Sequence, residues 1–184
     1  MADESEKAVP QVRSFWAWLT QKDRDGDRGI FNLIDLSNLA GILISFLAAL
    51  VANADASKLA LGIALPVTAA LVGISFAWAG RSASLLQDQE YSLFIIEYGA
   101  PPEGYVYSFQ LAILSAVFAV LVAAIISSET FLFSTGNELC DEILNRFFLF
   151  SAAWIAGREC WGVIDFSNKL AIQFYEVRKA KADI

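Results

Sequence analysis

Two adjacent charged residues, Arg158 and Glu159, interrupt an otherwise apolar stretch of the chain, Phe147–Phe166. A helix of that length is about 30 Å long, which matches the hydrocarbon thickness of a bilayer. A charge inside that layer costs at least ~2.5–3.5 kcal/mol, so it requires a partner or a function. This stretch therefore predicts a membrane-spanning helix whose charged pair must be matched by polar groups elsewhere in the protein.

The composition of the whole chain favours an integral membrane protein. Of its 184 residues 57% are hydrophobic and 18% are charged, and the mean hydropathy is +0.51, whereas soluble domains are about half apolar and a quarter charged. The formal net charge of −7 argues against direct nucleic-acid binding, which needs a concentrated basic surface. Because the chain has no histidine, a histidine metal site, catalytic triad or general base is excluded.

Four long apolar runs predict an all-α, polytopic membrane protein with a four-helix transmembrane bundle. The transmembrane domain covers residues 33–166, with spans at about 33–53, 59–80, 109–128 and 143–165. Helical spacing continues into a basic tail, residues 167–184, so a long C-terminal helix is expected to extend into the cytoplasm. Residues 1–32 form an N-terminal segment whose aromatic cluster predicts an interfacial helix over Gln11–Lys22.

Lysine and arginine are distributed unequally between the two sides of this bundle. Ten of them fall in the N-terminal segment, the loop after the second span and the C-terminal tail, whereas the opposite side carries Lys58 and Arg146. Basic residues accumulate on the cytoplasmic side of membrane proteins. The distribution predicts a multi-pass protein of the cell inner membrane with both termini in the cytoplasm. Arg146, near the outer end of the last span, is expected to extend its charge to the interface.

The partner that we expect for Arg158 comes from the first span. Asp35 enters the membrane from the same side as Arg158, and Asn38 lies one turn deeper. A contact between the Arg158 guanidinium and the Asp35 carboxylate would join the first and last spans. Arg158 also shares its helical face with Trp154, Trp161 and Asp165, and stacking on an indole ring would lower its desolvation cost.

Glu159 is expected to need a donor of its own. Neighbours in a helix lie about 100° apart, so Arg158 and Glu159 are not expected to pair well with each other, and a second protomer is one source of the donor. Three interpretations of the pair stay open. It locks helices together, it lines a polar cavity or pore shared by several protomers, or it is a titratable or catalytic pair.

Small residues recur at every fourth position of the first span. The stripe comprises Ser37, Gly41, Ser45 and Ala49, and it lets another helix approach closely. Packing within the chain and a subunit interface are both open explanations.

A separate apolar segment lies between the second and third spans, with Leu86, Leu93 and Ile96 near one helical face. Together with Arg178 and Lys179 of the tail, these residues are candidates for docking a partner.

Metal and cofactor chemistry is not indicated by any motif. Asp23, Asp25 and Asp27 alternate as in an EF-hand calcium loop, but Arg28 replaces the turn glycine and Ile34 replaces the bidentate glutamate. Walker, dinucleotide-binding, Ser-His-Asp, CxxC and HExxH patterns are missing from the sequence. We therefore predict no cofactor, no metal and no enzymatic activity. The two cysteines, about 30 Å apart on one predicted helix, are expected to be free thiols.

The four-span plan in fewer than 200 residues, with the run WIAGRECWGVI at the inner end of the last span, resembles small membrane subunits of bacterial antiphage defence systems. The membrane subunit of the Kiwa system is the nearest of these. The resemblance implies a homo-oligomer, a tetramer in that family, that acts as a membrane sensor or effector with a cytoplasmic protein partner. It carries no site residue over to this chain.

Composition and topology favour an inner-membrane protein, and the resemblance implies a homo-oligomeric sensor or scaffold subunit that works with a cytoplasmic partner in antiviral defence. The alternative is a pore-forming effector or ion channel with Arg158, Glu159 and Asp35 near its cytoplasmic mouth. A membrane enzyme is the third class.

Overall fold

The computed structural model describes residues 14–20, 35–97, 102–129 and 135–182. Every element in these ranges is helical, which confirms the predicted all-α class. The helices are α1 (Phe15–Thr20), α2 (Leu36–Val51), α3 (Ala56–Leu59), a π-helical turn (Ala60–Ala64), α4 (Leu65–Leu86), α5 (Gln89–Glu97), α6 (Pro102–Ser127) and α7 (Glu138–Ala182). The π turn joins α3 and α4 into one continuous helix, Ala56–Leu86.

Three helices are long and apolar enough to cross a membrane: Ala56–Leu86, Val106–Ser127 and Glu138–Ala180. Helix α2 is apolar but has only 16 residues. At 1.5 Å per residue it is about 24 Å long, whereas the hydrocarbon core of a bilayer is about 30 Å thick. Where the sequence predicts four spans, the described residues therefore contain three of full length and one short apolar helix.

The centre of the bundle is built from small side chains. Helix α6 packs on α4 and on α7, and the surfaces where they meet are rich in alanine. The fully or nearly fully buried alanines are Ala56, Ala60, Ala64, Ala116, Ala119, Ala123, Ala152 and Ala156. Small residues let helix backbones approach closely, and close van der Waals packing is what holds helices together in lipid.

Pro66 is the second residue after the π turn. Proline has no N–H, and its ring clashes with the carbonyl group four residues earlier, which is that of Gly62. A π turn widens the helix at this point, because its hydrogen bonds reach one residue further along the chain. The proline that the sequence places inside a span is thus accommodated without ending the helix.

Helix α2 is attached to one side of the bundle. Among the helices that the structure describes, α7 is the one on which α2 packs extensively. The opposite face of α2 carries large exposed side chains, including Leu36, Leu43 and Val51, which are 84%, 60% and 77% exposed. Such a face suits contact with lipid chains.

Helix α7 is 45 residues long, or about 67 Å, which is roughly twice the hydrocarbon thickness. Its C-terminal part packs against α5 through three aromatic rings. The ring of Phe174 lies 5.1 Å from that of Tyr91 and 5.6 Å from that of Phe94, measured between centroids. Arg178 pairs with Glu90 at 3.2 Å. These contacts hold α5 beside the C-terminal part of α7.

Helix α1 lies inside the segment for which an interfacial helix is predicted. Trp18 and Leu19 are buried in an apolar cluster with Leu111 of α6, and Tyr107 packs against that cluster. Trp16, by contrast, is 65% exposed. The short N-terminal helix thus rests on the end of α6 that is nearer to α5.

Candidate functional site

The Arg158 guanidinium joins α7 to α2. Its Nη2 donates to Oδ2 of Asp35, which is the partner that the sequence suggests. The other carboxylate oxygen of Asp35 accepts a hydrogen bond from the backbone N–H of Asn38 at 2.8 Å, so Asp35 is also the N-cap of α2. One carboxylate therefore both starts the helix and docks it.

Arg158 also pairs with its sequence neighbour, and the expectation that it would not is wrong. Its Nη1 lies 2.6 Å from Oε1 of Glu159. The Cβ atoms of neighbours diverge by 100° around a helix, but an arginine side chain is long enough to bend its planar guanidinium across that angle. The Glu159 carboxylate is also hydrogen-bonded to the side chain of Asn38. Both donors of Glu159 come from the same chain, so a second protomer is not needed to supply one.

Asp35, Asn38, Arg158 and Glu159 together form what we term the charge cluster. Its members are shielded to different degrees: the Glu159 side chain is 10% exposed, that of Arg158 29% and that of Asp35 32%. Asn38 is fully buried. One guanidinium thus faces two carboxylates, and their formal charges sum to −1.

The depth of the charge cluster explains how it is tolerated. Arg158 lies about 24 Å along α7 from Glu142, so if Glu142 lies at one boundary of a hydrocarbon layer of about 30 Å, Arg158 is within about 6 Å of the other boundary. Charges near the ends of a span reach the headgroups at a much lower cost than charges at its centre. Within the described ranges, no group of three or more Cys, Asp or Glu side chains could hold a metal ion. In this structure the role of the charge cluster is to join α2 to α7.

Three other residues predicted to accompany Arg158 lie elsewhere. The indole of Trp154 lies directly against Gly41 of α2. Trp161 is 70% exposed on the outer face of α7. Asp165 pairs with Lys169 one turn later, at 2.6 Å.

The stripe of small residues on α2 faces α7. Gly41, Ser45 and Ala49 are buried, whereas Ser37 is exposed. A Cβ atom on Gly41 would lie 1.9 Å from Nε1 of Trp154, so only glycine fits there. Of the two explanations that the sequence leaves open for the stripe, packing within the chain accounts for these three residues.

A second polar contact, which was not predicted from the sequence, holds the opposite end of α2. Arg146 of α7 donates to the backbone carbonyl of Ala52, the C-cap of α2, and pairs with Glu142 at 3.2 Å. Glu142 in turn accepts from the N–H of Ala56, the first residue of α3, at 2.5 Å. We term these contacts the turn clamp, because they hold the connection between α2 and α3.

The turn clamp corrects the expectation that Arg146 extends to the membrane interface. Its side chain is only 13% exposed. Backbone groups at helix ends lack partners within the helix, and in an apolar layer they attract any nearby donor or acceptor. The spacing of Glu142 and Arg146, four residues apart on one helix, is the signal in the sequence that indicates a fixed arginine.

The same end of the bundle holds an acidic pocket of about 370 Å³. Four carboxylates line it: Asp55, Glu129, Glu138 and Glu142. Lys58 bonds to Asp55 at 2.5 Å, and this hydrogen bond lowers the pKa of the Asp55 carboxyl below its usual range.

At the far end of α7 lies a cleft of about 400 Å³, which we term the α5 cleft. Glu90, Leu93, Phe94 and Glu97 line it from α5, and Phe174, Val177 and Arg178 line it from α7. The structure thus brings together Leu93 and Arg178, two of the predicted docking residues, although they are 85 positions apart in the sequence.

The remaining docking candidates lie around the α5 cleft or outside the residues that the structure describes. Leu86 is partly buried against the apolar cluster beneath the cleft. Lys179 is exposed and does not line it. The side chain of Ile96 lies outside the described residues, as does the aspartate-rich segment 23–34 that partly matches a calcium loop.

Comparisons of this chain with protein-family models, with curated proteins and with solved structures find no match.

Proposed function

We propose that this protein is a homo-oligomeric sensor or scaffold subunit of the bacterial inner membrane that acts through a soluble partner in the cytoplasm. The single observation that carries the proposal is the continuity of α7. One helix of 45 residues contributes side chains to the turn clamp, to the charge cluster and to one wall of the α5 cleft. A displacement at the membrane end of such a rigid element is transmitted to its other end.

The proposed topology has four spans with both termini in the cytoplasm. The ten basic residues assigned to one side support this orientation. The first span in this topology is α2, whose 16 residues are about 24 Å long, and a span of this length is accommodated by local thinning of the bilayer. The α5 cleft, which lies at the end of α7 nearer to the C-terminus, is then cytoplasmic.

The oligomer and the role in antiphage defence rest on the resemblance to small defence membrane subunits. A tetramer is the state that this resemblance favours. A bundle of this size, in which much of the apolar surface of α2, α4 and α6 is exposed, has enough free surface for both lipid and further copies.

Two measurements test the sensor or scaffold role. Cells that produce the protein from its native operon are challenged with a panel of phages, with and without the gene. In parallel, the products of neighbouring genes are tested for co-purification with the full-length protein in nanodiscs. We expect protection to depend on the gene and a soluble neighbour to co-purify. Unchanged phage sensitivity, together with the absence of any co-purifying neighbour, would refute the role.

An ion channel is the second candidate, and one observation favours it. The Asp35 and Arg158 side chains retain about one third of their exposure at membrane depth. If these exposed edges face a symmetry axis of the oligomer, the charge cluster lines a pore rather than lying beside lipid. Flux measurements on liposomes test this. A purified oligomer that conducts no ion at any pH or voltage removes the channel hypothesis and leaves the scaffold role unaffected.

A further inference from the structure

We infer that the α5 cleft binds a short basic segment of the soluble partner, with a large apolar side chain in the cleft and lysine or arginine beside it. This inference rests on the proposed function, because it assigns a site and a chemistry to the partner proposed there.

The first step is that the cleft lies in water and not in lipid. Glu142 bonds to Ala56, the first residue of the apolar helix Ala56–Leu86, so we take their common level as the edge of the hydrocarbon layer. Phe174 lies about 48 Å further along α7. From that edge the hydrocarbon core and the opposite headgroup layer together span about 35–38 Å, so the cleft lies about 10 Å beyond the opposite headgroups. Lipid chains therefore do not account for its apolar floor.

The second step is that the floor of the cleft is apolar and partly uncovered. Phe94 is 5% exposed and forms the base, whereas Leu93 beside it is 52% exposed. Phe174 and Val177 contribute the facing wall. A volume of about 400 Å³ accommodates one or two large side chains and lies within the range of sites that bind small ligands or single anchor residues.

The third step concerns charge. The rim carries the carboxylates of Glu90 and Glu97 and the single guanidinium of Arg178. Arg178 already pairs with Glu90 at 3.2 Å, and it also lies over the ring of Phe174 at 6.0 Å. The lining thus has a formal charge of −1, and the Glu97 carboxylate is on its exposed side. A basic segment complements this rim, whereas an acidic one would be repelled.

The fourth step links the cleft to the rest of the molecule. Phe174 contacts both Tyr91 and Phe94, so a side chain that enters the cleft presses on the same aromatic cluster that holds α5 on α7. Because the wall formed by Phe174 and Val177 belongs to the helix that carries Arg158, occupancy of the cleft and the position of α7 in the membrane are mechanically connected.

Direct binding to the full-length protein in zwitterionic nanodiscs tests the inference. Three dye-labelled peptides serve as probes: one with leucine and phenylalanine between pairs of lysines, one in which glutamates replace the lysines, and one in which serines replace the apolar residues. Fluorescence anisotropy, with empty nanodiscs as a blank, gives the three affinities. We expect the basic apolar peptide to bind about tenfold more tightly than either of the others.

Substitutions locate the site. Leu93→Lys places a positive charge, like those of the basic apolar peptide, on the exposed floor. It is expected to weaken the binding of that peptide about tenfold. Glu97→Gln is expected to weaken it about threefold, in keeping with an exposed ion pair. Glu176→Gln is the matched control, since Glu176 is an exposed carboxylate on α7 outside the cleft lining. We expect this control to bind as the wild type does.

Two results would overturn the inference. Equal binding of the basic and acidic peptides would refute the charge argument, and equal weakening by Glu97→Gln and Glu176→Gln would refute the location. Failure of the cleft is distinguishable from failure of the proposed function. A native partner that is captured equally by the wild type and by the Leu93→Lys protein overturns the cleft alone, whereas wild-type protein that captures no neighbour and gives no phage protection overturns both.

Discussion

Asp35 and Arg158 are 123 residues apart in sequence, yet their side chains form the ion pair that docks α2 on α7. The Asp35 carboxylate has two roles, because its Oδ1 caps α2 while its Oδ2 accepts from the guanidinium. Since α2 packs extensively on α7 alone among the described helices, this pair has more influence on the position of α2 than one ion pair has in an interconnected bundle.

The two roles of Asp35 can be separated by substitution. Asparagine is as good an N-cap as aspartate, so Asp35→Asn removes the ion pair and keeps the cap, whereas Asp35→Ala removes both. We expect Arg158→Ala to cost about 3 kcal/mol, the lower end for breaking a buried pair, because it leaves Glu159 shielded with one donor fewer. Asp35→Ala should cost about 1 kcal/mol more than Asp35→Asn. Reversible unfolding in mixed micelles measures all three.

The exchange Asp35→Arg with Arg158→Asp is the companion measurement. If the pair matters through its charges, the double variant recovers part of the stability that each single variant loses. Additive losses would contradict the assignment of the pair as a helix lock.

Gly41 and Trp154 provide the second prediction. Because a Cβ atom on Gly41 would overlap the indole, we expect Gly41→Ala to displace α2 from α7 and cost about 1–3 kcal/mol. Gly73→Ala is the control: that glycine also lies in a helix, but a Cβ atom there meets nothing within 4 Å. The control should be neutral or slightly stabilising. In a double variant with Trp154→Ala the cost of Gly41→Ala should largely disappear, and its persistence would exclude the close contact as the cause.

The turn clamp provides the third prediction. Arg146→Gln removes the guanidinium from a site that is 13% exposed and leaves the Ala52 carbonyl without its side-chain donor. We expect a loss of about 2 kcal/mol and faster amide hydrogen exchange at the end of α2 and the start of α3. Glu138→Gln, on the first turn of the same helix and outside the clamp, is the control. Unchanged exchange in the Arg146→Gln protein would show that the clamp does not restrain this connection.

The fourth prediction concerns topology and uses the natural cysteines. Cys140 is exposed at the start of α7, and Cys160 is buried beside the charge cluster. A membrane-impermeant maleimide should therefore label Cys140 in intact spheroplasts. Cys160 should stay unlabelled in the Cys140→Ser protein. In that same background the cysteine introduced by Lys179→Cys should be labelled only after permeabilisation. The reverse pattern would place both ends of α7 on the opposite sides and refute the proposed orientation.

The all-α class was predictable from the sequence. Long runs of apolar side chains with few charges leave the backbone one way to satisfy its hydrogen bonds in lipid, so α4, α6 and α7 follow from composition and length. The continuation of the last helix past its apolar stretch also followed, because the spacing of Leu170, Phe174 and Val177 stays helical there. These are local properties that each segment carries by itself.

The two polar contacts around α2 were predictable only in part. Arg158 and Asp35 could be matched because a charge in lipid needs a partner and few residues enter at the same depth. The turn clamp was not predicted, because its acceptor is the backbone carbonyl of Ala52 and its second donor is the backbone N–H of Ala56. Backbone groups are present at every position, so sequence does not indicate which of them a side chain will meet.

The pair of charges at Arg158 and Glu159 shows the division between sequence and structure. Sequence alone determined that the pair lies in an apolar helix, that it needs polar partners and that it favours the end of the span, because the cost of an unmatched charge in hydrocarbon is intrinsic to the residue. Only the tertiary structure decided that Arg158 bends to bond both Asp35 and Glu159. That outcome depends on the approach of α2, which Gly41 permits by admitting the Trp154 indole, and such an approach is set by how two distant surfaces fit.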